Sequence, residues 1–234
     1  MLRQANGQEI GRYGLANLIK KARLEERRAQ ARQARKPGRD QNVLVGDMGV
    51  LWKRLADDSA DLFLTDPVYN ETGSYERLAG LAAAKLKPGG LCLAYCGQMY
   101  LPQVLAAMAR HLHYWWVFAV QVAGQPKAIY ARFIQARWKP IVAFAKPPVR
   151  PAANWLADCI EGGGRDQRYH EWGQAEAEAV YLIQRLTEPG QLIVDPYAGG
   201  AAFLAAAKAT NRRWLATERD EATAVIARKR LAGM

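Results

Sequence analysis

The chain has 234 residues, half of them hydrophobic, which is enough for one large α/β core and too many for a disordered chain. Its formal charge of +11 and pI near 9.7 point to a polyanionic partner such as a phosphate backbone, the alternative being a basic protein with no such partner. Cys92, Cys96 and Cys159 form no CxxC or Cys/His pattern, which argues against a zinc or disulfide framework and suits a reducing cytoplasm.

The opening "MLRQANGQEIGRYG" lacks the apolar stretch of a secretory signal. The run "YWWVFAVQVAG" at 114–124 is too short to span a bilayer, so a soluble, cytoplasmic protein without membrane contact is expected. Residues 12–39 stand apart, with ten Lys or Arg against only Glu25 and Glu26. Their background of Ala, Leu, Gln and Arg favours helix, and Pro37-Gly38 ends it. The charge wraps all round, so residues 1–40 read as a basic helical arm rather than a core element. Such an arm either stays solvated or contacts DNA through Lys20, Lys21, Arg27 and Arg28, and its sign and density favour DNA.

From residue 41 to 234 short apolar runs alternate with helical stretches. Strands are expected at 42–47, 60–67, 89–97, 114–122, 140–146, 191–197 and 214–220, with a turn at Lys87-Pro88-Gly89-Gly90 and helices at 76–87, 201–210 and 220–231. Near-continuous apolar strands between helices imply a mostly parallel sheet covered on both faces, a Rossmann-like α/β fold. Ligands of such sheets sit beyond the carboxyl ends of the strands, where the strand order switches. Attention therefore falls on Asp47, on Asp66 to Tyr69, on Asp195 to Gly200 and on Glu218.

In "IVDPYAGGAAF" a strand ends at Asp195-Pro196-Tyr197, and a turn with Gly199-Gly200 leads into a helix, a place where backbone can approach a ligand closely. About twenty residues on, "WLATERD" ends in Glu218, at a spacing that suits a carboxylate receiving ribose hydroxyls. Cys92 and Cys96 read as small core hydrophobes. His111, His113 and His170 have no partner cluster, and no metal site is expected.

Combined with "LFLTDPVYN", these features resemble an S-adenosylmethionine-dependent methyltransferase. Asp66-Pro67-Val68-Tyr69 is similar to the Asp-Pro-Pro-Tyr motif of the DNA amino-methyltransferases, which modify adenine N6 or cytosine N4. Here that motif precedes the glycine loop, as in the circularly permuted beta group of the family. "YHEWGQ", with His170, Trp172 and Gln174, is similar to a subgroup of phage-encoded or solitary enzymes. The resemblance implies S-adenosylmethionine as cofactor and double-stranded DNA as partner, in a restriction-modification or orphan setting. It implies that Asp66 and the Pro67 carbonyl accept the hydrogens of the target amine, and that Tyr69 stacks on the flipped base. Asp47, Asp195, Pro196, Tyr197, Gly199, Gly200, Glu218 and Gln174 would hold the cofactor. In this family Asp at the first motif position goes more often with adenine N6, which is therefore expected ahead of cytosine N4.

Val68 departs from the family's second proline, and Ala201-Ala202 replace its Gly-Thr, where a β-carbon at 201 would crowd the cofactor. These departures leave a catalytically weak or inactive DNA-binding protein on the same fold as the rival; a second rival, an RNA or small-molecule methyltransferase, is opposed by the order of the motifs. "GQPKAIYARFIQARWKP" interleaves Arg132, Arg137 and Lys139 with aromatics, as a DNA contact or as a plain two-stranded excursion. Residues 147–169 occupy the family's target-recognition position and are short. A homodimer is compatible with the chain, which specifies no oligomeric state.

Overall fold

Strand β4 (Ala60–Thr65) and strand β11 (Leu192–Asp195) lie side by side although more than a hundred residues separate them, and the molecule is organised around that pair. The computed structural model describes residues 2–3, 9–10, 42–122, 124–162 and 176–233. The chain divides into two compact units, Met1–Gly38 and Arg39–Met234. In the first, β1 (Leu2–Arg3) pairs antiparallel with β2 (Glu9–Ile10). The expected basic helix, with Lys20, Lys21, Arg27 and Arg28, lies outside the described residues, as do His170, Trp172 and Gln174.

The second unit is built on an eight-stranded sheet. Its other strands are β3 (Val43–Val45), β5 (Leu86–Tyr95), β6 (His113–Gln121), β9 (Trp138–Ala145), β10 (Cys159–Ile160) and β12 (Arg213–Glu218), in the order β10-β6-β9-β5-β4-β11-β12-β3. All neighbours from β5 to β3 run parallel, while β9 is antiparallel to both β5 and β6. A separate hairpin joins β7 (Lys127–Ile129) to β8 (Ile134–Ala136). The sheet is thus mostly parallel, with its switch in strand order between β4 and β11.

Helices cover both faces, as the strand period of two requires. Phe63, Cys92, Ala94, Val142, Phe144 and Val194 face one side, against Leu51 of α1 (Gly49–Arg54), Tyr75 and Leu78 of α2 (Thr72–Lys85), and Val104 and Met108 of α3 (Leu101–Met108). Their neighbours Leu62, Leu64, Leu93 and Ile193 face the other, against Leu182 of α4 (Glu176–Leu186) and Phe203 and Ala207 of α5 (Ala202–Ala209). A third cluster joins α5 to α6 (Glu221–Ala232) through Leu204, Ala224, Ala227 and Leu231.

One expectation fails. No turn intervenes at Lys87-Pro88-Gly89-Gly90, because α2 passes directly into β5 at Leu86. The glycines instead absorb an irregularity inside the strand. Ala60 pairs with Leu86 and Leu62 with Leu91, so β5 carries extra residues there, and Gly89 adopts φ +87°.

Candidate active site

The switch point brings Asp66 and Asp195 to one edge, each immediately after or at the end of its strand. Asp195 is fully buried, and its Oδ1 accepts hydrogen bonds from the Thr65 hydroxyl at 2.7 Å and from the Tyr197 backbone N–H at 3.0 Å. Its other oxygen is buried and has no hydrogen-bond partner among the described residues. Burial pushes the Asp195 carboxyl up to about 7. Thr65 and Tyr197 pull against that shift, and the charges of Asp66 and Glu218 add to it. Thr65 was missed in the sequence. The only signal was a hydroxyl at the end of the apolar "LFLT", and its partner lies 130 positions away.

Asp66 is half-buried, Pro67 is buried and Val68 is exposed. Tyr69 is drawn inward, packed on the cluster beneath the sheet, and its hydroxyl hydrogen-bonds Asp66. Burial and then Asp66 raise the Tyr69 phenol well above its ordinary value. Gly97 makes this packing feasible, since a β-carbon there would lie 3.3 Å from ring carbons of both Tyr69 and Tyr100. Asp66 also raises Cys96, which burial first and this charge second push up to about 12. A thiolate nucleophile is therefore not what this edge offers. Beyond Asp66, Tyr95 is buried, stacked on Phe203 with ring centroids 5.6 Å apart, and the Lys139 ammonium stands 5.2 Å above its ring.

Across the switch the glycine loop is tied down by its own neighbours. Gly199 N–H donates to Glu218 Oε2 at 2.9 Å, and Asp220 N–H to Glu218 Oε1 at 2.8 Å. Pro196 is buried and its carbonyl accepts from the Thr217 hydroxyl at 2.9 Å. The Gly200 carbonyl accepts from Arg230 Nη1 at 2.9 Å, and the same guanidinium reaches Glu176. Gly199 has φ +49° and Ala201 φ +59°, so two residues of the turn sit in the left-handed region. No side chain caps α5 at Ala201. The methyl of Ala201 is wholly buried among Val43, Ala198, Leu204 and Ala216, so it faces the core. That geometry runs against the expected crowding of a ligand by the β-carbon at 201.

Asp47 is exposed and its Oδ1 accepts the Gly49 N–H at 2.9 Å, closing a turn after β3. Its charge reaches the Tyr197 phenol, which burial raises and the nearby Ser74 hydroxyl and Arg77 lower. The edge therefore gathers Asp47, Asp66, Asp195 and Glu218 around a glycine turn at a helix start. Of the remaining candidates, Arg132 and Arg137 are exposed on and beside the β7–β8 hairpin, while Lys139 is half-buried. The described part of 147–169 contributes β10, which extends the sheet beside β6. A cavity of about 700 Å³ lies at the opposite, amino-terminal edge among Arg54, Lys208, Arg212, Arg213 and Trp214, and no candidate residue lines it. Among the described residues no cluster could hold a metal ion, and no helix is long and apolar enough to cross a membrane.

This edge suits a ligand of net positive charge that also carries hydroxyls and a carboxylate. A fully buried carboxyl with an unpartnered oxygen, a second carboxylate one strand away, and an uncapped helix start behind two left-handed residues supply the matching groups.

No protein-family model and no curated protein sequence matches the chain. Solved structures do. The M1.HpyAVI–SAM complex superposes with a TM-score of 0.67 at 16% identity, over 81% of this chain and 98% of its own. The PvuII DNA methyltransferase, cytosine-N4-specific, gives 0.66 at 18% identity, over 82% and 93%. A provisionally assigned DNA modification methylase from Thermus thermophilus, complexed with S-adenosyl-L-methionine, gives 0.67 at 17% identity, over 82% and 93%. The chain has the Rossmann-like fold of the S-adenosylmethionine-dependent DNA methyltransferases.

Proposed function

We propose that the chain is a DNA methyltransferase that uses S-adenosylmethionine and acts on an exocyclic amine, adenine N6 ahead of cytosine N4. The observation that carries this reading is the Thr65–Asp195 hydrogen bond, which couples the strand leading to Asp66 with the strand leading to the glycine loop. An amine acceptor and a cofactor cradle thereby become neighbours. Solved relatives of this fold that carry S-adenosylmethionine support the choice of cofactor.

S-adenosylmethionine, when bound, supplies a methyl group made electrophilic by its sulfonium. Glu218 would receive ribose hydroxyls, Asp47 would lie toward the adenine, and Asp195 with the turn Pro196–Gly200 would hold the methionine end. An exocyclic amine is a weak nucleophile because its lone pair is delocalised into the ring. Asp66 accepts an amine hydrogen and favours the pyramidal form, with the Pro67 carbonyl as second acceptor. Releasing its hydroxyl from Asp66 leaves Tyr69 to stack on the extruded base. The rival reading as an inactive DNA-binding protein leaned on Ala201, whose methyl is buried in the core.

Unmodified genomic DNA and methyl-labelled S-adenosylmethionine test the reading. N6-methyladenine is expected, and Asp66→Ala lowers its formation by at least about 100-fold. Label in cytosine alone moves the target to N4, as in the PvuII enzyme. Undiminished label in Asp66→Ala removes that residue from the chemistry. DNA binding with no methyl transfer by the unaltered chain favours the rival.

A further inference from the structure

The hairpin between β6 and β9 is closed by Tyr130, Ala131, Arg132 and Phe133, with Ile129 paired to Ile134. Arg132 N–H donates to the Ile129 carbonyl at 3.0 Å, and the tight loop leaves Phe133 with φ +50°. A bulky residue rarely takes that conformation, for which glycine and asparagine are the ordinary occupants. Nor does the ring gain burial among the described residues. Phe133 is 94% exposed and Tyr130 beside it 77% exposed. A strained backbone presenting an unpacked aromatic side chain points to a role outside the chain.

Position and charge say where that role lies. β5 and β9 are antiparallel, with Tyr95 opposite Ile141, so β9 starts at the edge where β5 and β4 end. The Gln98 side-chain amide donates to the Trp138 carbonyl and fastens the base of the hairpin to the segment following β5. The hairpin therefore rises from the same edge as Asp66, on the side of β4 away from the glycine loop. Its neighbours Lys127, Arg132 and Arg137 are cationic, and no Asp or Glu occurs anywhere between Arg77 and Ala157. An apolar tip on a hairpin that carries cations and no acid is complementary to a duplex, with phosphates for the cations and a base stack for the ring, even though the exposed Glu161 follows β10 at the same edge.

We propose that Phe133, with Tyr130 beside it, is the wedge that keeps the duplex open during the reaction. The ring enters the stack at the target position and fills the space left by the base that has swung toward Asp66. Stacking needs no hydrogen bond, so this action is independent of the neighbouring sequence. Arg132 and Arg137 would brace the flanking phosphates. Phe133 is thus a positioning residue, and the proposal rests on the DNA methyltransferase reading above.

The full chain, Phe133→Ala and Phe133→Trp are compared on duplex oligonucleotides carrying the sequence context that the unaltered chain methylates in genomic DNA. Each duplex is prepared with the target base correctly paired and with it mispaired, the mispaired base being easier to extrude. Phe133→Ala should lower kcat/KM at least tenfold on the paired duplex and less than threefold on the mispaired one, with Phe133→Trp within threefold on both. The thermal unfolding of all three should agree, since the ring is almost wholly exposed. Equal losses on both duplexes, or no loss on either, overturn the wedge. Loss of binding to anionic phospholipid vesicles with methylation unchanged also overturns it, in favour of a lipid surface. Absence of methyl transfer by the unaltered chain to any DNA overturns the underlying reading instead, a result that separates the two.

Discussion

The carboxyl edge of the sheet has two halves that differ in charge. On the β11, β12 and β3 side, carboxylates dominate: Asp195 buried, Glu218 bonded to the backbone of the glycine turn, and Asp47 closing the turn after β3. On the β5, β9 and β6 side the chain from Arg77 to Ala157 carries no carboxylate and is rich in cations and aromatics, although Glu161 after β10 and Glu178 against the Tyr95 hydroxyl stand beside it. Asp66 stands on the boundary. A sheet that presents acids to one ligand and cations to another can hold a positively charged donor and a negatively charged acceptor side by side. It does so without either ligand competing for the other's seat.

Four measurements put this contrast to the test. The largest effect is expected at Glu218. Removing both carboxylate oxygens frees the N–H groups of Gly199 and Asp220 and deletes the proposed ribose acceptor. Glu218→Ala should weaken S-adenosylmethionine binding about 100-fold, the order expected for charged hydrogen bonds. Binding of DNA without cofactor should stay within about twofold. Calorimetry on both ligands checks this, and equal losses would erase the division between halves.

The second concerns Asp195. Its folded pKa of about 7 lies above the ordinary 3.8, so the folded state holds its proton more tightly than the unfolded chain does. The stability contributed by this group is complete below about pH 4 and is lost as pH rises through 7. The loss approaches about 1.4 kcal/mol per pH unit within that window. Asp195→Asn keeps an acceptor for Thr65 and Tyr197 and should flatten the decline. Denaturant melts of both proteins from pH 4 to 7 would expose an unchanged slope.

The third prediction returns to the cationic half. Arg132→Ala with Arg137→Ala should make the salt dependence of DNA binding shallower by about 2 in log–log slope, close to one for each phosphate released. Cofactor binding should not change. An unaltered slope would show both side chains to be merely solvated. The smallest effect is expected at Ala201→Gly. Relief of a left-handed alanine gains about 1 kcal/mol, while the lost buried methyl costs about the same, so the melting temperature should barely move. A gain in cofactor affinity of tenfold or more would mean that the methyl does hinder the ligand.

Much of this was legible in the sequence because strand ends are local events. An apolar run, then Asp66-Pro67 or Asp195-Pro196, marks an edge residue whatever the tertiary structure does. The parallel core and the three helices given bounds fell within a few residues of them for the same reason, while α1 and α3 had no expected bounds. What escaped was set by partners distant in the chain. Thr65 acquires its role from Asp195, and Gly97 its importance from rings at 69 and 100. The direction of the Ala201 methyl follows from a left-handed φ that alanine does not advertise. Phe133 read as one more aromatic in a basic stretch, because periodicity carries no sign of a four-residue loop closing beneath it.

The placement of β11 and β12 bears on how the molecule comes to exist. Both lie between β3 and β4 in the sheet, although ribosomes deliver them long after either. A growing chain that has released β3, β4 and β5 therefore waits with a gap at its centre and unpaired backbone on both sides of it. Closing that gap requires contacts of long sequence separation, which makes assembly slow and leaves the open flanks exposed to wrong pairings. Truncation ahead of Leu192 removes the middle of the sheet and leaves its two flanks with nothing to join them.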